Sequence, residues 1–214
     1  MKTIILFDLD GTLIDSTKAI LESFSVAFES FNKPVPDQEK IKSLIGYPLD
    51  VMFISLGIEE EIADNFVQEY KKHYRKISCQ KTILLPSAES AVKKASEFAR
   101  LGIVTTKTGR YSRELLEHLN LMQYFEILIG REDVINPKPH PEPILKALEY
   151  MNVKDETCWM IGDTLLDVQS AKSANITPIA LTCGYGKKEE LCDSCEHIVE
   201  NVFSAIEIID EKKA

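Results

Sequence analysis

Six short apolar runs recur along the chain with amphipathic stretches between them, and this alternation constrains the fold more than any other feature. The runs cover 3–7, 101–105, 126–129, 157–161, 177–181 and 197–199, and helical spacing fills 87–100, 110–119, 142–151, 165–174 and 202–209. Strands alternating with helices predict a parallel sheet, because each parallel crossover needs a long connection and a helix supplies it. In the first of these helical stretches Ala88, Ala91, Val92, Ala95 and Phe98 recur at helical spacing and offer one face to the sheet. The expected class is therefore α/β, a Rossmann-like parallel sheet flanked by helices.

One segment breaks the alternation. From Asp15 to about Gln80 helical patterns follow one another at 18–31, 38–44, 49–56 and 60–77, with a breaker at KPVPD and no strand. A helical block that leaves after the first strand and returns before the second is expected to be an all-helical cap with its own small core, above the strand ends. The expected division is 1–14 and 81–214 for the α/β core and 15–80 for the cap. A chain of 214 residues suits one core with a small insert better than two full domains.

The chemistry gathers where the runs stop. After IILF come Asp8 and Asp10, which a strand would project from the same face. Two like charges so close raise each other's ionisation cost, which is seldom accepted without a cation or a reaction to use them. Thr105 and Thr106 follow LGIV, Gly162 and Asp163 follow WMI with Asp167 four residues on, and NPKPHPEP sets Lys138 between prolines just before a helix. Taken singly, these read as a turn, a strand end, an N-cap and a solvated lysine. Together they should meet, because ligands of open parallel sheets bind beyond the carboxyl ends of the strands. Four carboxylates in one crevice call for a hard cation, and Mg²⁺ is typically held by one or two carboxylates, waters and substrate phosphate. Lys138 and the Thr105 hydroxyl suit a tetrahedral oxyanion. No Ser-His-Asp or Cys-His pattern stands at the strand ends, so a carboxylate is the candidate nucleophile and an aspartyl-phosphate the candidate intermediate.

Asp8-Leu9-Asp10-Gly11-Thr12, Thr105, Lys138 in PKPHPEP and Gly162-Asp163-Thr164-Leu165-Leu166-Asp167 resemble, in order and over nearly the whole chain, the four motifs of the haloacid dehalogenase superfamily. The helical block after the first motif is similar to the cap of the phosphoglycolate phosphatase-like branch. The resemblance implies that Asp8 attacks phosphorus and that Asp10 protonates the leaving oxygen and later deprotonates water. It implies Mg²⁺ ligation by Asp8, Asp10 (through its backbone carbonyl) and Asp163, with Asp167 supporting, and a phosphoryl group held by Thr105 and Lys138. Gly11, Thr12, Thr106 and Lys107 are the further expected phosphate or substrate contacts, Thr106 standing where that branch often has asparagine. Gly46 and Tyr47 of the cap are expected to face the leaving group.

Other branches of the superfamily fit less well. Its dehalogenases lack the second aspartate of the first motif. Its β-phosphoglucomutases carry a cap histidine where Ile20 stands and an arginine after the cap glycine, where Gly46-Tyr47-Pro48-Leu49 has none. Its phosphonatases use a cap lysine, and Lys40 and Lys42 lack a supporting motif. The expected activity is hydrolysis of a small phosphorylated metabolite, phosphoglycolate first, with nucleotide, pyrophosphate and phosphosugar hydrolysis as alternatives. A phospho-accepting signalling module also combines acids, a threonine and a lysine with Mg²⁺, but the long helical block and the second aspartate argue against it.

Charge and cysteine usage bound the partners. With 25 Lys and Arg against 34 Asp and Glu, a net charge of -9 disfavours nucleic acid and anionic membrane. No apolar stretch is long enough to span a bilayer and no signal-peptide pattern is present, so the cytoplasm is the expected location. Five cysteines suggest reduced thiols, although CDSC with Cys183 and His197 has a ligand-like spacing. Oligomeric state has no sequence signal here.

Overall fold

The computed structural model describes residues 3–212. The first part of the chain forms β1 (Thr3–Phe7), β2 (Ile14–Asp15), α1 (Thr17–Ser30), α2 (Gln38–Lys42), α3 (Leu49–Ser55), α4 (Glu60–Lys81) and β3 (Ile83–Leu84). Next come α5 (Ala88–Ser96), β4 (Ala99–Val104), α6 (Gly109–His118), β5 (Phe125–Ile129) and α7 (Glu142–Tyr150). The last part forms β6 (Thr157–Gly162), α8 (Leu165–Ser173), β7 (Thr177–Leu181), α9 (Lys188–Ser194), β8 (His197–Val199) and α10 (Val202–Lys212).

Six strands make one parallel sheet in the order β5-β4-β1-β6-β7-β8. β1 lies between β4 and β6, and all five of its residues are buried. Its side chains alternate between two helical layers, as the pleat requires. Ile5 and Phe7 join the cluster built by Ala91 and Val92 of α5, Leu115 of α6 and Ile206 of α10. Ile4 and Leu6 join Ile144 and Ala147 of α7 and Ala171 of α8 on the opposite face.

The segment between β2 and β3 is helical and builds a separate apolar cluster. On α1 the buried residues Ala19, Ile20, Ser23, Phe24, Ala27 and Phe28 recur with helical period, and on α4 Ala63, Phe66, Val67, Tyr70 and Tyr74 do the same. Phe24 lies 4.6 Å from Phe53 and 5.0 Å from Tyr70, ring centre to ring centre. Asp37 caps α2 by accepting the Glu39 backbone N–H, so the proline-rich breaker leads straight into a new helix.

Two expectations about local structure are corrected. The helix expected over 87–100 stops at Ser96, and Ala99 and Arg100 belong to β4, pairing with Thr3 and Ile4. Sheet pairing wins there over helical periodicity, and Phe98 packs on the core from the connecting turn instead of a helix face. The two-residue strands β2 and β3 were not expected; they pair antiparallel, Ile14 with Leu84 and Asp15 with Ile83, so the chain enters and leaves the helical insert at one place. No helix among the described residues is long and apolar enough to cross a membrane.

Candidate active site

Asp8 continues β1 by donating its backbone N–H to Ile161 O at 2.9 Å. Phe7 is in register with Ile103 of β4 and with Ile161 of β6, so the three strands end level and their following residues share one crevice. Asp8, Asp163 and Asp167 are all buried, and each offers a carboxylate oxygen within 4.8 Å of the others. Lys138 is the buried cation beside them: its Nζ lies 2.8 Å from Asp8 Oδ1, pairs closely with Asp167 Oδ1 and donates to Val104 O at 3.1 Å.

Local structure holds each of these side chains. Asp167 is the third residue of α8 and accepts the Thr164 backbone N–H at 3.0 Å and the Thr164 hydroxyl at 2.6 Å, closing a capping box. Asp163 accepts the Thr12 hydroxyl at 3.0 Å and the Tyr185 backbone N–H at 2.8 Å. The Lys138 loop is tied down by the Glu142 carboxylate, which accepts the N–H groups of Ile135 and Asn136, and by Ser170 donating to His140 O. Gly11 has φ +80°, and a Cβ there would stand 2.3 Å from Asp163 Oδ2, so only glycine allows the turn beneath this carboxylate.

The charge balance is uneven. Burial raises the Asp8 carboxyl to about 6 despite the nearby Lys138, with Asp167 pushing it the same way. Burial, then the charges of Asp8 and Asp167, hold Asp163 well above the usual carboxylate range. Burial works against the Lys138 ammonium, but Asp167 and Asp8 outweigh it and keep the group firmly charged. One lysine cannot neutralise three acids. Asp8 Oδ1 is buried and accepts no well-aligned hydrogen bond, although Lys138 Nζ is close. Three buried, converging carboxylates with one ammonium beside them fit a hard, oxygen-seeking divalent cation, and these side chains could hold one.

Asp10 stands apart from the three. Its side chain accepts Lys107 Nζ at 2.7 Å and forms a close contact with the Ser16 hydroxyl, so its carboxylate is not among those that converge. Thr105 is buried; its hydroxyl accepts the Lys107 backbone N–H at 3.2 Å. Thr12, expected at phosphate, is fully buried and directs its hydroxyl to Asp163. Thr106 donates to Gly46 O at 2.8 Å and so links the sheet to the helical insert. Lys107 Nζ, besides meeting Asp10, lies 4.7 Å from the centre of the Tyr74 ring of α4. Gly46 and Tyr47 line a cleft between insert and sheet.

Sequence reasoning passed over Gly184, Tyr185 and Ser16. A Cβ at Gly184 would lie 2.1 Å from Asp163 Oδ2, and Tyr185 supplies both an amide to Asp163 and a hydroxyl 2.9 Å from that of Thr17. The signal was the GYG that follows β7, a glycine pair at the same sheet end as the acids. Cys183, Cys192, Cys195 and His197 do not converge: among the described residues, Asp8, Asp163 and Asp167 are the one group of three or more whose ligand atoms meet. Cys195 is buried and donates to backbone carbonyls, while Cys192 is exposed.

A family model for haloacid dehalogenase-like hydrolases matches residues 5–181, which include every acid of this cluster. The chain belongs to that family. Among curated relatives, a phosphoglycolate phosphatase of Colwellia psychrerythraea is 32% identical over 201 residues, covering 89% of this chain and 88% of the relative. One from Escherichia coli is 30% identical over 209 residues, covering 86% and 83%. A solved haloacid dehalogenase-like family hydrolase from Streptococcus pneumoniae superposes with a TM-score of 0.87 at 27% identity, covering 97% of this chain and 98% of its own.

Proposed function

We propose that this protein is a Mg²⁺-dependent phosphomonoesterase that hydrolyses a small phosphorylated metabolite through an aspartyl-phosphate on Asp8, with the helical insert acting as a cap. The observation that carries this reading is the buried trio Asp8, Asp163 and Asp167 beside Lys138, beyond the ends of the adjacent strands β1 and β6. Asp8, Asp163 and Asp167 would hold the cation, which when bound neutralises phosphoryl charge and orients the ester.

Asp8 stands at the end of β1 with its Oδ1 beside the Lys138 ammonium, and it is the carboxylate we assign to attack phosphorus. Lys138 compensates the charge that gathers on Asp8 and the phosphoryl oxygens. Asp10 carries its carboxyl on the cleft side and can give a proton to the leaving oxygen, then take one from water during hydrolysis of the acyl-phosphate. Its contacts with Lys107 and Ser16 hold it for both roles. The relatives' names make phosphoglycolate a candidate substrate.

The test is hydrolysis of acetyl phosphate and p-nitrophenyl phosphate with Mg²⁺ by the wild type and by Asp8→Asn and Asp10→Asn. Wild-type turnover with loss in Asp8→Asn is expected. Undiminished turnover in Asp8→Asn removes the nucleophile assignment, and a stable phosphoprotein without turnover favours a signalling role.

A further inference from the structure

The cleft between the helical insert and the sheet has a volume of about 420 Å³. Asp10 is part of its wall, whereas Asp8, Asp163 and Lys138 are not, so the phosphoryl position lies beneath and the volume serves the leaving group. Glycolate would occupy a small part of it, and a leaving group as large as a nucleoside has room there.

The walls agree with the size. Ile20, Ile45, Met52 and Val67 line the cleft with aliphatic surface. Tyr47, on the loop whose Gly46 carbonyl is held by Thr106, also lines it; its side chain is exposed (42%) and makes no ring contact with another aromatic among the described residues. An exposed aromatic face in a cleft that Asp10 also lines can stack on a planar ring.

The polar part of the lining is mixed in charge. On the insert wall Asp50, Glu60 and Asp64 stand beside Lys71, and on the sheet side Lys107 pairs with Asp10 while Arg131 gives one hydrogen bond to the Val134 carbonyl and keeps its charge. The acids accept hydrogen bonds from hydroxyl and amino groups.

We infer that the preferred substrate is a phosphomonoester of a bulky, ring-bearing alcohol of the nucleoside class, with Tyr47 as a specificity-determining residue; this rests on the phosphomonoesterase reading above. Steady-state kinetics on cytidine monophosphate, glucose phosphate and phosphoglycolate test it. The nucleotide should show a kcat/KM at least about tenfold above the other two, as expected of one base stacked on one aromatic ring. Tyr47→Ala should raise its KM by about tenfold and Tyr47→Phe should restore it, since the ring and not the hydroxyl is required. Phosphoglycolate or glucose phosphate used as well as the nucleotide, or a nucleotide KM unmoved by Tyr47→Ala, overturns the inference. Acetyl phosphate separates the two failures, because its leaving group is too small to use the cleft. If the wild type hydrolyses neither it nor any ester, the phosphomonoesterase reading fails. Calorimetric binding of the nucleotide and of phosphoglycolate to Asp8→Asn then decides the cleft's preference, tighter nucleotide binding supporting the inference and the reverse overturning it.

Discussion

Replacing Asp8, the proposed nucleophile, should strengthen the metal-free fold. Burial raises the Asp8 carboxyl to about 6, so in the absence of a cation its ionised form is a liability to the native state. A rise of that size corresponds to about 3 kcal/mol at neutral pH. The sign follows from which state releases its proton first. Below about pH 4 Asp8 is protonated folded and unfolded, and there is no penalty. As pH rises toward the folded value of about 6, the unfolded chain ionises first and gains on the native state. Above that the penalty is complete. Asparagine has the shape of the protonated acid and carries no charge, and Lys138 keeps its pair with Asp167. Asp8→Asn should therefore be more stable than wild type by up to about 3 kcal/mol at neutral pH in chelator, or roughly 6–12 °C in melting temperature. The gain should fall away as pH drops well below about 4, and it should shrink in excess Mg²⁺, which the proposed site of the wild type would bind more tightly. Urea unfolding followed through Trp159, the single, buried tryptophan, reads all of these conditions. An asparagine variant less stable than wild type at neutral pH in chelator, or a difference that ignores pH, would refute the reasoning.

Other perturbations test the remaining parts. EDTA should abolish turnover of p-nitrophenyl phosphate and added Mg²⁺ should restore it; full activity in chelator would remove the metal from the mechanism. Gly184→Ala would drive a methyl to 2.1 Å from Asp163 Oδ2, so the Mg²⁺ concentration for half-maximal activity should rise about 10–100-fold. Thr106→Val removes the donor to Gly46 O, a loss of about 1 kcal/mol that should appear mainly as a KM raised about fivefold. Phe24→Ala opens a hole among Phe53, Tyr70 and their neighbours and should cost about 3–5 kcal/mol, measured by urea unfolding.

The strands were legible because their burial leaves a plain mark: β1 needs apolar side chains toward both layers, and TIILF supplies them without interruption. β4 was harder to delimit, since Ala99 and Arg100 look as helical as strand-like until pairing with Thr3 and Ile4 claims them. β2 and β3 are two residues each, too short for any periodicity to show. Asp8 and Asp163 were findable because charge at the end of an apolar run is unusual, Asp167 through its spacing from Asp163 and Lys138 through its place between prolines before a helix, and the fold brings these four together. Partners were less legible than positions. Nothing local distinguishes a Thr12 hydroxyl that serves Asp163 from one that would serve phosphate, or shows that Thr106 reaches across to Gly46. Gly184 and Tyr185 carry no side-chain charge to attract notice, and their contribution is a close approach and an amide that exist only once β7 lies beside β6.

The pairing of Ile14 with Leu84 and of Asp15 with Ile83 reaches beyond this one chain. Because departure and return are neighbours, the six-stranded sheet keeps its register whatever length of polypeptide is strung between them. The helical segment is thus a cassette. A different insert with ends at the same spacing could be spliced at this two-rung ladder, leaving the acids and Lys138 where they stand and presenting them with a new chamber. Recombination at that seam would change what is recognised while conserving the bond that is broken.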